Sequence, residues 1–143
     1  MVSISEIFSR QILDSRGNPT LEVDISLSDG STGRAAVPSG ASTGKYEAFE
    51  LRDGDKKKYN GLSVQNAVNN INVEISNTFC GRNPFDQKNI DNDLIELDNT
   101  SNKSRLGANA MLGFSMAVAR SASASLGLPL WKYIGGMRAN TLP

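Results

Sequence analysis

The sequence contains no histidine and a single cysteine, Cys80. Without histidine, Ser-His-Asp and Cys-His catalytic arrangements and histidine-ligated zinc sites are excluded within this chain. One cysteine excludes an intrachain disulfide and makes a reducing compartment the simplest context. Cys80 follows Phe79 at the end of an apolar helical stripe and reads as a small buried hydrophobe. Charge of either sign is not in excess, with 15 Lys and Arg against 15 Asp and Glu. The basic footprint of a nucleic-acid binder is therefore missing, and no nucleic-acid partner is expected. Long hydrophobic runs are missing too: nothing approaches the ~18–20 apolar residues of a membrane span. The first turns of the chain carry Glu6, Arg10, Asp14 and Arg16, which does not fit a signal peptide. A cytoplasmic protein is expected. Its chemistry is restricted to carboxylates, lysine, hydroxyls or a metal held by oxygens.

What is present reads as one α+β domain. Ile4 to Leu13 is rich in Ile and Phe and runs into the turn formers Asp14-Ser15-Arg16-Gly17-Asn18-Pro19. Leu21, Val23, Ile25 and Leu27 then alternate with Glu22, Asp24, Ser26 and Ser28, the period of a strand with one wet face. Asp29-Gly30 marks a tight turn, and Arg34 to Val37 a third short strand closed by Pro38. These segments predict a three-stranded antiparallel meander.

About four helices are expected to follow. Val64, Val68, Ile71, Ile75 and Phe79 fall at helical spacing, with Ser63 placed as N-cap. Asp86 is placed to cap a second helix bearing Ile90, Leu94 and Leu97. Ala108 to Leu126 is apolar almost all round, which predicts a buried helix whose small residues allow close packing. Gly127 fits its C′ position, and Pro129 opens a short helix ending at Gly135-Gly136. Strands followed by helices predict helices laid on one sheet face. The domain is expected to occupy residues 1–136. Residues 137–143, without cap or periodicity, read as the start of a linker.

One segment carries little structural signal. Val37-Pro38-Ser39-Gly40-Ala41-Ser42-Thr43-Gly44-Lys45 places two glycines and three hydroxyl residues between a strand and a charged region. As a phosphate-binding P-loop it fails: Ser39 stands at the first glycine position and Tyr46 at the metal-binding hydroxyl, and the strands form a meander. The remaining readings are an ordinary surface loop and a lid that brings a hydroxyl to an oxygen-bound metal such as Mg²⁺. A serine alone cannot build such a site, although it can complete one built elsewhere. Asp91 and Asp93 are two apart on a helix, point to different faces and read as a solvated surface. Arg16 reads as a donor within its turn.

The segments Ala36–Gly44, Glu47-Ala48 and Glu50–Asp55, the turn Leu13–Val23, and the run Leu97–Ala110 together resemble the N-terminal domain of the enolase family. They come in the family's order and spacing from residue 12 to residue 134. Two departures stand out: Asn99 replaces a usual glycine, and Leu62-Ser63 replaces a usual Lys-Gly pair.

The resemblance implies a cap on a barrel domain not present in this chain. It also implies a glycolytic lyase that interconverts 2-phosphoglycerate with phosphoenolpyruvate and water, using Mg²⁺. It assigns Ser39, Gly40, Ala41, Ser42, Thr43 and Gly44 to a substrate lid. Ser42 becomes a ligand of the second Mg²⁺ in the closed full-length enzyme. The catalytic base, the acid and the metal carboxylates belong to the barrel, so no catalytic residue is expected here and the chain alone is expected to be inactive. A homodimer is implied for the whole protein, with Arg10 and Glu22 placed to contribute to its contact. The alternative is a stand-alone, non-catalytic interaction module derived from an enolase.

Overall fold

Alternation of apolar and polar residues produces the sheet. In the computed structural model, which describes residues 1–38, 40, 44 and 46–141, strands β1 (Ile4–Leu13), β2 (Pro19–Leu27) and β3 (Thr32–Ala36) pair antiparallel in the order β1-β2-β3. The register sets Ile7 opposite Ile25, Gln11 opposite Leu21, and Val23 opposite Ala35. Leu21, Val23, Ile25 and Leu27 are all buried, while Glu22, Asp24 and Ser26 face outward between them. Both turns form as their residues require. Asp14 Oδ1 accepts the N–H groups of Arg16 and Asn18, and Gly17 takes a positive φ. Gly30 does likewise, at φ +85°, donating its N–H to Leu27 O. The third strand begins at Thr32, earlier than expected, because Thr32 and Gly33 pair with Ser26 and Ile25 directly after the turn. Val37 lies past its end, yet still donates to Leu21 O at 2.9 Å.

The expected first helix is one rod in three parts: α1 (Gln65–Asn70), a π-helical turn over Ile71–Ile75, and α2 (Ser76–Phe79). Its stripe of Val64, Val68, Ile71, Ile75 and Phe79 is buried throughout. The wide turn lets the stripe stay on one face over more residues than α-helical turns of ~3.6 residues allow. The same turn brings Asn72 to the edge of β1, where Asn72 Oδ1 accepts from Ser9 N at 2.7 Å and Asn72 Nδ2 donates to Ser9 O at 3.1 Å.

Two expectations here are corrected. Ser63 is not the cap: Val64 stands at the N-cap position, and the carboxylate of Asp53 accepts from the N–H groups of Gln65 and Asn66, each at 2.9 Å. Ser63 lies one residue too early and donates instead to Gln11 Oε1 at 2.8 Å. Cys80 is exposed, not buried, because the chain leaves the helix at that residue (ψ 136°) and carries it off the apolar face.

Helix α3 (Gln87–Asp98) begins after Asp86 as expected, although the Asp86 carboxylate accepts from Asn89 Nδ2 rather than from a backbone N–H. Helix α4 (Ala108–Ser125) packs across β2 and β3, and its Phe114 ring lies 4.9 Å from that of Phe79. It ends in a Schellman motif, with Gly127 N bonded to Ala124 O and Leu128 N to Ser123 O. Helix α5 (Leu130–Gly135) follows, leaving Trp131 and Ile134 exposed, and Gly136–Arg138 forms a single 3₁₀ turn. Among the described residues the fold is thus the α+β arrangement expected, with three strands and four helical rods. Among the described residues no helix is long and apolar enough to cross a membrane.

Candidate functional site

The strand β3 delivers the chain to a cleft of about 710 Å³, bordered by Arg16, Pro38, Gly40, Gly44, Glu47 and Asn109 among others. On the incoming side, Val37 is clamped to the sheet from both of its backbone groups. Its N–H donates to Leu21 O, and its carbonyl accepts from Thr20 Oγ1 at 2.6 Å. Thr20 is itself buried, so this clamp is shielded from water.

The outgoing side is fixed through a series of contacts. Glu47 N donates to Gly44 O at 3.2 Å, Phe49 N to Asn102 O at 2.8 Å, and Ala108 N to Phe49 O at 2.8 Å. Asn109 takes both backbone groups of Leu51, accepting from its N–H and donating to its carbonyl, each at 3.1 Å. Arg52 donates to the carbonyls of Pro19 and Leu62 and pairs with Glu50 at 2.8 Å. Asp53 closes the run by capping α1.

Behind this side lies Asp98, a fully buried carboxylate. Burial alone would raise its pKa. Hydrogen bonds from Thr100 Oγ1 and from the N–H groups of Leu106 and Thr100, with the charge of Arg105, hold it below the ordinary value instead. Arg105 straps the same turn by donating to the Asp98 and Leu97 carbonyls and pairing with Glu74. Asn99, where the resembling family has glycine, adopts φ +54°, a left-handed conformation that asparagine tolerates better than most residues.

Of the sequence-predicted lid, Gly40 and Gly44 are exposed at the cleft; Ser39, Ala41, Ser42 and Thr43 lie outside the described residues. Arg16 stands at the cleft with its guanidinium 3.4 Å from Asp14. Arg10 and Glu22 are elsewhere, 3.2 Å apart on the outer sheet face. Asp93 pairs with Arg82, and Asp91 accepts from Gln87 at 3.0 Å. Among the described residues no three acidic, histidine or cysteine side chains come together to hold a metal ion. These described residues do not themselves fit Mg²⁺.

Sequence reasoning missed Asn109, Asp98 and Asp53. Asn109 and Asp98 sit inside a run that carries the family resemblance, but neither follows a period; Asn109 works on a partner 58 residues away, and Asp98 on donors spread through its own turn. A family model described as "Enolase, N-terminal domain" matches residues 4–134.

Proposed function

The chain belongs to the enolase N-terminal-domain family, and from that premise we propose that it caps and closes the active centre of an enolase. The reaction is the interconversion of 2-phosphoglycerate with phosphoenolpyruvate and water. One carbon loses a proton beside a carboxylate, and the neighbouring carbon loses its hydroxyl. In this reading the base, the acid and most ligands of Mg²⁺ come from a barrel domain. Mg²⁺ bound there would supply positive charge against the negative charge that builds up on the carboxylate. Residues 39–44 cover the bound substrate and exclude water, and Ser42 contributes an oxygen on closure.

The observation that supports this reading is the contrast between the clamped flanks and the exposed glycines between them. Val37 is held to the sheet, Phe49 to the 98–107 turn, and Gly40 and Gly44 border the cleft. A covering segment needs such fixed ends, since a displacement of ~1 Å at the chemistry can cost about 100-fold in rate. The enzyme is proposed to work in the cytoplasm as a homodimer. The outward-facing Arg10 and Glu22 are available to meet the partner, because the domain's own helices pack against the opposite sheet face.

The test is Ser42→Ala in the full-length protein, with phosphoenolpyruvate formation followed by absorbance. Turnover should fall about 100-fold, as when a preorganised group is lost from a transition state, while KM changes much less. An unchanged turnover number removes Ser42 from its role, whereas a parent protein that forms no phosphoenolpyruvate at all leaves the stand-alone module as the better reading.

A further inference from the structure

Two asparagines in this fold grip a neighbouring backbone in the same way. Asn72 holds both backbone groups of Ser9, and Asn109 holds both backbone groups of Leu51. A side-chain amide offers one acceptor and a donor in the places where a neighbouring strand would offer its carbonyl and N–H. At Ser9 the effect is to seal the open edge of β1. At Leu51 no sheet edge needs sealing, because residues 49–51 belong to no strand.

The second grip is nevertheless built with care. Asn109 is only 3% exposed, in the first turn of α4. Gly107, at φ +95°, lets the two segments meet: a Cβ there would stand 2.5 Å from Leu51 Cβ and 2.6 Å from Asn109 Oδ1. The turn before it is held by Asp98, and its Asn102 carbonyl takes the Phe49 N–H. Asn102 and Asn109 both border the cleft alongside Gly40 and Gly44.

We propose that Asn109 is a positioning residue. By fixing Leu51 it sets the place from which residues 39–44 reach the substrate. The inference rests on the lid reading above and adds to it a residue that touches neither substrate nor metal. Losing the grip loosens the base of the lid, so it lowers the fraction of bound substrate that is correctly covered. That fraction enters kcat, whereas the contacts that decide KM come mainly from the barrel.

The experiment compares Asn109→Ala, Asn109→Asp and Asn72→Ala in the full-length enzyme. Each is assayed for kcat, KM and Tm, and for amide exchange at Leu51. For Asn109→Ala, Leu51 exchange should quicken by about tenfold. In the same variant kcat per folded molecule should fall about tenfold, with KM within about threefold. Asn109→Asp keeps the acceptor for Leu51 N–H and loses the donor, so it should fall between parent and alanine. It also serves if the alanine variant does not fold. Asn72→Ala should lower Tm yet leave kcat unchanged, as a purely structural grip requires.

The proposal is overturned if Leu51 exchange quickens while kcat stays at the parent value, or if Asn72→Ala lowers kcat as much as Asn109→Ala. When either happens with Ser42→Ala still impaired, the lid reading survives without Asn109. If Ser42→Ala is unimpaired, the lid reading fails and takes this inference with it.

Discussion

Two regions of this domain are held together by different physics. Where β2 and β3 meet α4, backbones approach so closely that glycine is needed, and the surrounding side chains are apolar and fully buried. Residues 47–54 and the turn 98–107 send Leu51 and Leu106 to the same core, but the backbones there are held by polar side chains. Asn109 accepts from Leu51 N–H across the contact, Asp98 accepts from Leu106 N–H within the turn, Arg52 donates to the Leu62 carbonyl, and Asp53 accepts from Gln65 N–H. Apolar packing is non-directional and tolerates approximate shapes, whereas a buried carboxylate is stabilising only while every one of its donors is in place. The first region should therefore respond to volume and the second to charge and pH.

The largest effect should come from filling the closest approach. A Cβ at Gly33 would stand 2.2 Å from Ser121 N and 2.6 Å from Ala117 O, both backbone atoms of α4. Gly33→Ala thus requires the helix to move, and a loss of about 3 kcal/mol or more is expected, at the upper end for overpacked cores. Gly113→Ala is the matched control. Its Cβ would meet the ends of the Leu21, Val23 and Val37 side chains at 2.8 to 3.0 Å, and these can shift. Alanine also recovers ~1 kcal/mol of helix propensity over glycine, so the net loss should be about 1 kcal/mol. Guanidinium unfolding measures both. Equal losses would show that the sheet–helix contact is set by side chains, not by backbone approach.

Asp98→Asn probes the second region and should cost about 1–3 kcal/mol at neutral pH, because its amide cannot accept from all the donors now aimed at the carboxylate. The effect should depend on pH in a definite sense. The folded carboxyl has a pKa below its ordinary 3.8, so its contribution is complete above that value and is lost as pH falls through the folded pKa. The gap between parent and variant should be constant from neutrality to about pH 5 and close under stronger acid. Gly33→Ala, having no charge term, should keep a constant gap over the same range. A gap for Asp98→Asn that does not narrow in acid would mean that packing, not ionisation, holds the turn.

The same division explains what could be read from the sequence. The apolar region announces itself by period: Leu21, Val23, Ile25 and Leu27 alternate, and Val64 to Phe79 recur at helical spacing, so the sheet, the rods and their buried faces follow from the chain alone. Even the close approach of α4 follows from its run of small residues. The polar region has no period. Ser63 looks like a cap because caps are sought next to the helix, whereas the carboxylate that does the capping is Asp53, 12 residues before Gln65. Cys80 reads as buried from its place after the stripe, yet one residue past the helix end is enough to turn a side chain from core to solvent. The resemblance assigns residues 39–44 to a lid, but it gives no role to the asparagine and aspartate that hold the segments beside the cleft, and no period marks them.

The smallest effect is expected on the outer sheet face, which contrasts with both regions. There Arg10, Glu22, Asp24 and Arg34 form a connected set of ion pairs. The hydrogen bond from Arg34 is the largest cause of the lowered Asp24 pKa; partial burial opposes it, and the nearby charge of Arg10 assists it. Arg34 is nonetheless 62% exposed in its side chain, so water and salt screen most of what it contributes. Arg34→Ala in the isolated domain should leave the guanidinium midpoint within experimental error of the parent. Any difference visible by thermal unfolding at low salt should vanish as salt is added. Because Asp24 retains Arg10, even acidification should separate the two proteins little. A loss as large as that of Asp98→Asn, persisting at high salt, would show that this face is held by desolvated charge, and the contrast between polar contacts inside and outside the fold would have to be redrawn.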